Sequence, residues 1–134
     1  MATIELNESN FEETISAQGK TVFVDFWAPW CQPCRVFGPV FEAASNRHEG
    51  IVFAKVNTQD EQGIARALDI QAIPTLMVFR DGVLLFAQPG MLPAKALDEI
   101  AEKVTSLDMD DVRKKIAEAE AKQGDEGAKE GDAS

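Results

Sequence analysis

Short apolar runs and longer segments of helical periodicity alternate along the chain as far as residue 107. The run TVFVDFW at residues 21–27, bounded by Gly19 and Pro29, is typical of a strand that is buried on both faces. Residues 51–56 form a second run of this kind, and residues 3–6 form a shorter one. The segments between and after these runs have the apolar spacing of helices, which we predict over residues 9–17, 31–48, 60–68 and 94–107.

Two further apolar runs, at residues 75–79 and 83–87, flank a DG dipeptide at residues 81–82, which favours a tight hairpin turn. The predicted order of elements is therefore β-α-β-α-β-α-β-β-α. Alternating strands and helices that end in a hairpin indicate an α/β fold, with a mixed sheet and helices on both of its faces. Residues 9–12 (SNFE) match the capping-box pattern, so we expect Ser9 to cap the first helix.

The character of the sequence changes after Leu107. A narrow apolar stripe of helical spacing predicts an extra amphipathic helix over residues 108–123, which either rests on the domain at residues 1–107 or stands free. From Gly124 the chain has no large apolar residue that could repay the entropy of ordering. We therefore predict a disordered acidic tail over residues 124–134. The stripe consists of Met109, Val112, Ile116 and Ala119.

Length and charge narrow the classes of function. The chain has 134 residues, which suits one domain, and 13 basic against 23 acidic residues give it a net charge of −10. Such a charge disfavours nucleic acid and anionic membranes as partners. No apolar run approaches the ~18 residues of a membrane span. The N-terminal segment lacks the basic and apolar regions of a signal peptide, so we expect a cytoplasmic protein.

The two cysteines, Cys31 and Cys34, lie where a predicted buried strand passes into a predicted helix. A disulfide between them would close almost no loop, so a redox-active or metal-binding pair is more plausible than a structural one. At a helix start, free N–H groups and the helix dipole lower the pKa of the Cys31 thiol and make it the attacking thiolate. Cys34, one turn later, would lie beneath it and resolve the mixed disulfide, while Pro33 stiffens the turn. We expect the two-residue spacer to let both sulfurs reach bonding distance while Cys31 stays exposed.

Other interpretations of the cysteine pair stay open at this point. A zinc site needs about four ligands, and the other soft ligand, His48, lies at the far end of the same predicted helix. A zinc or iron–sulfur site shared between two chains is one alternative. Two buried, inert cysteines are another.

Asp25 stands in the middle of the apolar run, where an unpaired charge is costly. Lys55 holds a comparable position in the next strand and would relieve that cost as a neighbour of opposite charge. Asp25 is then a candidate acceptor for the proton of the Cys34 thiol. The alternative is that Asp25 ends its strand in solvent. Pro74 should open a strand and leave the backbone of Ile73 free to pair with an extended peptide.

The segments FVDFWAPWCQPC, AKVN and IPT, with Gly82 and Gly90, resemble the thioredoxin family in order and spacing over about residues 3–106. The resemblance implies the thioredoxin fold, a five-stranded mixed sheet flanked by four helices. It also implies roles for single residues. Cys31 would be the nucleophile, Cys34 the resolving thiol, Asp25 the buried carboxylate with Lys55 as its partner, and Pro74 a cis-proline facing the disulfide. Trp30, Ile73, Gly90 and Met91 would line an apolar substrate surface.

The sequence departs from the family at two positions near the cysteines. Gln32 and Ala72 stand where thioredoxins usually have glycine. Residues between the cysteines determine which redox state of the pair is favoured. Gln32 therefore affects the redox potential of the pair and not the type of reaction. Its side chain would narrow access to Cys31 or offer a hydrogen bond to a substrate, and we count Gln32 and Pro33 among the substrate-binding residues.

The activity implied by this resemblance is reduction of protein disulfides by dithiol–disulfide exchange, which maintains the thiol redox state of the cytoplasm. The implied partners are disulfide-containing client proteins and a thioredoxin reductase that draws electrons from NADPH. We expect no bound cofactor, no metal and a monomer. Two alternatives are a disulfide oxidase or isomerase of the same fold, and a binding or chaperone module whose thiols are incidental.

Overall fold

The computed structural model describes the backbone of residues 3–133 and the side chains of residues 3–121. In this part of the chain one mixed sheet has the strand order β1-β3-β2-β4-β5. Its members are β1 (Thr3–Glu5), β2 (Thr21–Trp27), β3 (Val52–Asn57), β4 (Thr75–Arg80) and β5 (Val83–Pro89). The helices are α1 (Phe11–Ile15), α2 (Gln32–Arg47), α3 (Gln62–Ala67), α4 (Ala94–Thr105) and α5 (Met109–Ala133). The predicted α/β order and mixed sheet are confirmed.

The central strand β2 is buried on both faces, as its continuous apolar sequence predicts. It pairs parallel with β3 and antiparallel with β4. Side chains alternate across a strand, so consecutive residues of β2 enter different cores. Val24 and Phe26 pack in the core that includes residues of α1 and α3, whereas Phe23 packs in the core that includes residues of α2 and α4.

Helix α2 is fixed to the sheet by a group of aromatic rings. The ring centres of Phe41 and Phe53 lie 5.1 Å apart, and those of Phe23 and Phe53 lie 5.0 Å apart. Phe37 lies 5.9 Å from Phe41 on the same buried stripe of α2. Such pairs each add about 0.5–1.5 kcal/mol beyond the area they bury. Helix α2 is therefore packed against β2 and β3 through these rings.

The cap of α1 differs from the prediction. The side-chain Oδ1 of Asn7 accepts hydrogen bonds from the backbone N–H groups of Ser9 at 2.9 Å and Asn10 at 3.1 Å. In return, Asn10 Oδ1 accepts a hydrogen bond from the Asn7 N–H at 2.7 Å. The Ser9 hydroxyl donates to Asn7 Oδ1 at 2.6 Å. The N-cap residue of α1 is Asn10, whose side chain makes no capping hydrogen bond to the helix. Asn7 and Asn10 instead close the turn before α1, which begins two residues ahead of the SNFE pattern. The expected Ser9 cap was wrong.

The segment after α4 rests on the domain. Helix α4 ends at Thr105, short of the predicted Leu107, which is exposed. Arg80 Nη1 donates to the carbonyl oxygens of Val104 at 2.7 Å and Leu107 at 2.8 Å, and so holds the end of α4 against β4. Met109 is only 6% exposed. The start of α5 is thus packed and does not stand free.

An ion pair links the start of α5 to the hairpin turn. Arg113 Nη1 lies 3.4 Å from Asp81 Oδ2, and Asp81 Oδ1 also accepts the Gly19 N–H at 2.6 Å. The acidic tail predicted over residues 124–134 lies outside the fully described residues, so its disorder and the division at Leu107 stay predictions. Among the helices of the described chain, none is both long enough and apolar enough to cross a bilayer.

Candidate active site

Cys31 and Cys34 form a disulfide at the point where β2 passes into α2. Their Cα atoms lie 5.2 Å apart. Cys31 is the N-cap of α2, and its Sγ accepts a hydrogen bond from the Cys34 backbone N–H at 3.3 Å. The sulfur thus takes the place of the oxygen that usually caps a helix. In the reduced protein the same N–H and the helix dipole favour a thiolate on Cys31.

The two cysteine residues do not differ in exposure as expected. Cys31 is 5% exposed and Cys34 is 4% exposed, so the prediction of an exposed Cys31 was wrong for the disulfide form. Both cysteines pack in one cluster with Ala28, and Trp27 and Ile73 pack against it. Little of either cysteine is therefore in contact with solvent in the disulfide form.

Asp25 lies fully buried inside β2, with two more strand residues after it. The alternative of a solvent-exposed strand end was therefore wrong. Burial raises the pKa of Asp25 from 3.8 to about 7, and the charge of Lys55 offsets part of that effect. Neither carboxylate oxygen has a hydrogen-bond partner within the described residues. Asp25 is thus a group that changes protonation near neutral pH.

Lys55 is the neighbour of Asp25 in the parallel register of β2 and β3, as expected. The two side chains do not form an ion pair among those found in residues 3–121. Lys55 Nζ instead lies 4.8 Å from the centre of the Trp27 ring, within the range of a cation–π interaction. Lys55 thus acts on Asp25 through its charge and not through a hydrogen bond.

Asp25 and Cys34 lie in the same layer between the sheet and α2. Asp25 is two residues from Phe23 on β2, so both side chains point toward the core that includes residues of α2. Cys34 and Phe37 are three residues apart on the buried face of α2. The carboxyl group and the second sulfur are therefore enclosed in the interior that the two elements share.

Two loops, at residues 73–74 and 90–91, lie beside the disulfide. The Ile73–Pro74 peptide bond is cis, as the family resemblance implied. The Ile73 carbonyl oxygen lies 3.7 Å from Cys31 Sγ. The Gly90 N–H donates to the Pro74 carbonyl oxygen at 2.7 Å, and its positive φ of 93° turns the chain there. These contacts bring the 73–74 and 90–91 segments together beside Cys31.

The residues around the disulfide form a surface that we call the disulfide face. Trp30 is 69% exposed and Met91 is 49% exposed, which is unusual for large apolar side chains. Both lie on loops and are not part of the core. The disulfide face consists of Trp30, Gln32, Pro33, Ile73, Gly90 and Met91, of which only Ile73 is half-buried and the others are exposed.

Comparison with known proteins identifies the family. The thioredoxin family model matches residues 2–118. The chain belongs to the thioredoxin family. A Streptomyces coelicolor protein named "Putative thioredoxin 2" is 46% identical over 92% of this chain and 91% of its own length. Thioredoxin 1 of Nostoc sp. is 37% identical over 76% of this chain and 96% of its own length.

A solved structure agrees with the thioredoxin fold. The crystal structure of Malassezia sympodialis thioredoxin (Mala s 13) matches with a TM-score of 0.69 and 30% identity, over 76% of this chain and 93% of that chain. The predicted thioredoxin fold is confirmed. Helix α5 is additional to the four helices implied by the resemblance.

Membership in the thioredoxin family settles the class of chemistry. Thioredoxins are thiol–disulfide oxidoreductases that react through a redox-active disulfide. In this chain the corresponding group is the Cys31–Cys34 disulfide. The family needs no bound cofactor. Residues 3–121 contain no group of three or more His, Cys, Asp or Glu side chains that could hold a metal ion within one chain. His48 instead lies 2.7 Å from Asp98 Oδ1 at the far end of α2.

The structure also adds residues that the sequence did not single out. An open groove of about 190 Å³ runs beside Trp30, and Thr58 and Ala65 are among the residues that line it. Thr58 reaches this position because its N–H donates to the Trp27 carbonyl oxygen at 2.8 Å. One local signal was present, since Thr58 directly follows β3 and parallel strands end at the same edge of a sheet. Ala65 carries no comparable signal.

Proposed function

We propose that this thioredoxin-family protein reduces disulfides in client proteins, with Cys31 as the attacking sulfur and Cys34 as the resolving sulfur. The observation that carries the proposal is the hydrogen bond from the Cys34 N–H to Cys31 Sγ at the start of α2. This bond favours negative charge on one sulfur of the pair, and the thiolate is the species that attacks a disulfide.

The reaction proceeds by two exchanges. The Cys31 thiolate attacks one sulfur of the client disulfide, the client S–S bond breaks, and the departing client sulfur takes up a proton. Cys34 then gives its proton to Asp25 and attacks Cys31 Sγ. The bond between Cys31 and the client breaks, and the second client sulfur leaves as a thiolate that takes up a proton. The client gains two electrons and two protons, and the Cys31–Cys34 disulfide is left.

Asp25 suits the role of proton acceptor because its pKa of about 7 lies near the working pH. A carboxyl with an ordinary pKa of 3.8 would be too weak a base for a buried thiol. Lys55 contributes by keeping the pKa of Asp25 from rising further. In this proposal Lys55 is a positioning residue, since it acts through Asp25.

Client proteins bind across the disulfide face. Trp30 and Met91 provide apolar contact area, and Gln32 and Pro33 border the disulfide at the start of α2. In this proposal the backbone of Ile73, whose carbonyl oxygen lies 3.7 Å from Cys31 Sγ, pairs with an extended client segment. We place the protein in the cytoplasm as a monomer, where a thioredoxin reductase supplied by NADPH regenerates the dithiol.

The direction of exchange distinguishes this proposal from a disulfide oxidase or isomerase. The protein is equilibrated in glutathione buffers, and the fraction with a Cys31–Cys34 disulfide is read by alkylation and mass spectrometry. A midpoint more reducing than about −230 mV is expected for a reductase. A midpoint between about −180 and −120 mV would instead indicate an oxidase or isomerase.

Truncation after Leu107 is expected to lower stability without lowering the rate of insulin reduction per folded molecule. The truncated chain loses the buried side chain of Met109, which costs about 2 kcal/mol. The disulfide face stays intact because its residues all precede Leu107. A chain that ends at Ala121 is the matched control, since it keeps Met109 and Arg113. A lower rate in the shorter chain alone would show that α5 takes part in client handling.

A further inference from the structure

Met91 is the most exposed sulfur-containing side chain among the described residues. It is 49% exposed, whereas Met77 and Met109 are each 6% exposed. Cys31 and Cys34 are 5% and 4% exposed and are bonded to each other. In the disulfide form, an oxidant in solution therefore meets the Met91 thioether before the other described sulfurs.

The loop that carries Met91 is held on both sides. Before it, the Gly90 N–H is bound to the Pro74 carbonyl oxygen at 2.7 Å. After it, Leu92 packs against the core that includes α4. The loop thus presents Met91 on the same face as Trp30, and a chemical change at its sulfur alters the surface that clients would meet.

We propose that Met91 is an oxidation site at which hydroperoxides weaken client docking without altering the dithiol–disulfide chemistry; this inference rests on the proposed function. The thioether sulfur attacks one peroxide oxygen, so an S–O bond forms and the O–O bond breaks. The other oxygen leaves as hydroxide, or as alkoxide when the oxidant is an organic hydroperoxide. It takes up the proton that the sulfur-bound oxygen releases, which gives water or an alcohol. Sulfur loses two electrons and the peroxide gains them.

The sulfoxide changes the disulfide face from apolar to polar at one position. A sulfoxide oxygen is well hydrated and resists burial against a client, whereas the thioether does not. The Met91 side chain takes no part in the exchange between sulfur atoms. Its oxidation should therefore weaken client binding and leave the exchange itself unchanged. We expect the KM for insulin to rise about fivefold, with kcat and the rate on a small disulfide unchanged.

Peptide mapping tests the site of oxidation. The protein in its disulfide form is treated with hydrogen peroxide, the peroxide is removed with catalase, and the chain is digested with trypsin. Met77, Met91 and Met109 fall in separate tryptic peptides, at residues 67–80, 81–95 and 104–113. We expect the 81–95 peptide to gain one oxygen several times faster than the other two. Equal rates in the three peptides would overturn the proposal.

Two variants test the consequence. Met91→Leu keeps an apolar side chain that peroxide does not oxidise, and Met91→Gln imitates the polarity of the sulfoxide. We expect peroxide to raise the KM of the original protein but not that of Met91→Leu, and Met91→Gln to show a raised KM before treatment. A peroxide-dependent rise of the same size in Met91→Leu would contradict the inference.

A small disulfide separates failure of the inference from failure of the proposed function. Hydroxyethyl disulfide has too little apolar surface to depend on Met91, so peroxide should not change its rate of reduction. If the untreated protein reduces this compound but not insulin, the proposed function fails and the inference fails with it. If the untreated protein reduces both and peroxide leaves the KM for insulin unchanged, only the inference fails.

Discussion

Replacing Cys31 with serine is expected to lower the rate of insulin reduction by at least about 10³-fold, close to the uncatalysed background. A serine hydroxyl is not ionised near neutral pH and does not exchange with a disulfide. The remaining Cys34 is buried in the cluster beneath Ala28 and lacks the hydrogen bond that Cys31 Sγ receives at the helix start. The rate is measured as insulin turbidity with dithiothreitol as the electron donor.

Cys34→Ser is the matched control, because it removes the same disulfide and leaves the other sulfur. Circular dichroism and thermal unfolding of the two variants should coincide, so that a difference in reactivity reflects which sulfur is present. A Cys31→Ser variant that keeps a substantial part of the insulin activity would show that Cys31 is not the attacking group.

Replacing Asp25 with asparagine is expected to stabilise the protein at pH 8. The folded-state pKa of Asp25 is about 7, against an ordinary value of 3.8. Between these values the folded state binds more protons than the unfolded state, so the free energy of unfolding falls as pH rises through this window. The loss in the free energy of unfolding caused by Asp25 levels off above pH 7, at about 4 kcal/mol for this difference in pKa between the folded and unfolded states. Asparagine has no charge to bury and should not show this loss.

Urea unfolding of the disulfide form at pH 4 and pH 8 gives the free energy of unfolding of Asp25→Asn and of the original chain. The effect of Asp25 is the difference between the two chains at each pH. Asp98→Asn is a control of opposite sign. Hydrogen bonds from His48 and Arg47 hold the pKa of Asp98 below its ordinary value. That carboxylate stabilises the fold above its ordinary pKa, so its removal should destabilise the protein at pH 8. Equal pH dependence in Asp25→Asn and the original chain would show that Asp25 is not the buried acid described here.

Asp25→Asn should also slow the second exchange. Without a proton acceptor, only the fraction of Cys34 already ionised can attack, and a free thiol is about 3% ionised at pH 7. We expect release of client from the mixed disulfide to slow by about thirtyfold at pH 7, and the difference to narrow toward pH 9.

The sequence predicted most of the sheet because its signals there are local. The apolar run of β2 between Gly19 and Pro29 predicts a strand buried on both faces, and the structure confirms it. The position of the disulfide at the start of α2 also follows from neighbouring residues. The burial of Cys31 did not follow, because the exposure of this residue depends on Ile73, which is 42 residues away.

Interactions between distant segments account for the other differences. The sequence suggested that Asp25 and Lys55 are neighbours, but it did not show that Lys55 Nζ lies over the Trp27 ring. Helix α1 has Asn10 and not Ser9 as its N-cap residue, since the start of the turn depends on how the chain leaves β1. The packing of Met109 depends on Arg80 holding the end of α4, which no local pattern reveals.

The identity of the sulfur that joins the client tests the proposed exchange most directly. The Cys34→Ser variant is reduced and mixed with insulin, and the linked peptides are identified by mass spectrometry under non-reducing conditions. We expect a stable adduct through Cys31, and no adduct when Cys31→Ser is treated in the same way. An adduct through Cys34 in Cys31→Ser, with none in Cys34→Ser, would contradict the assignment of the attacking sulfur.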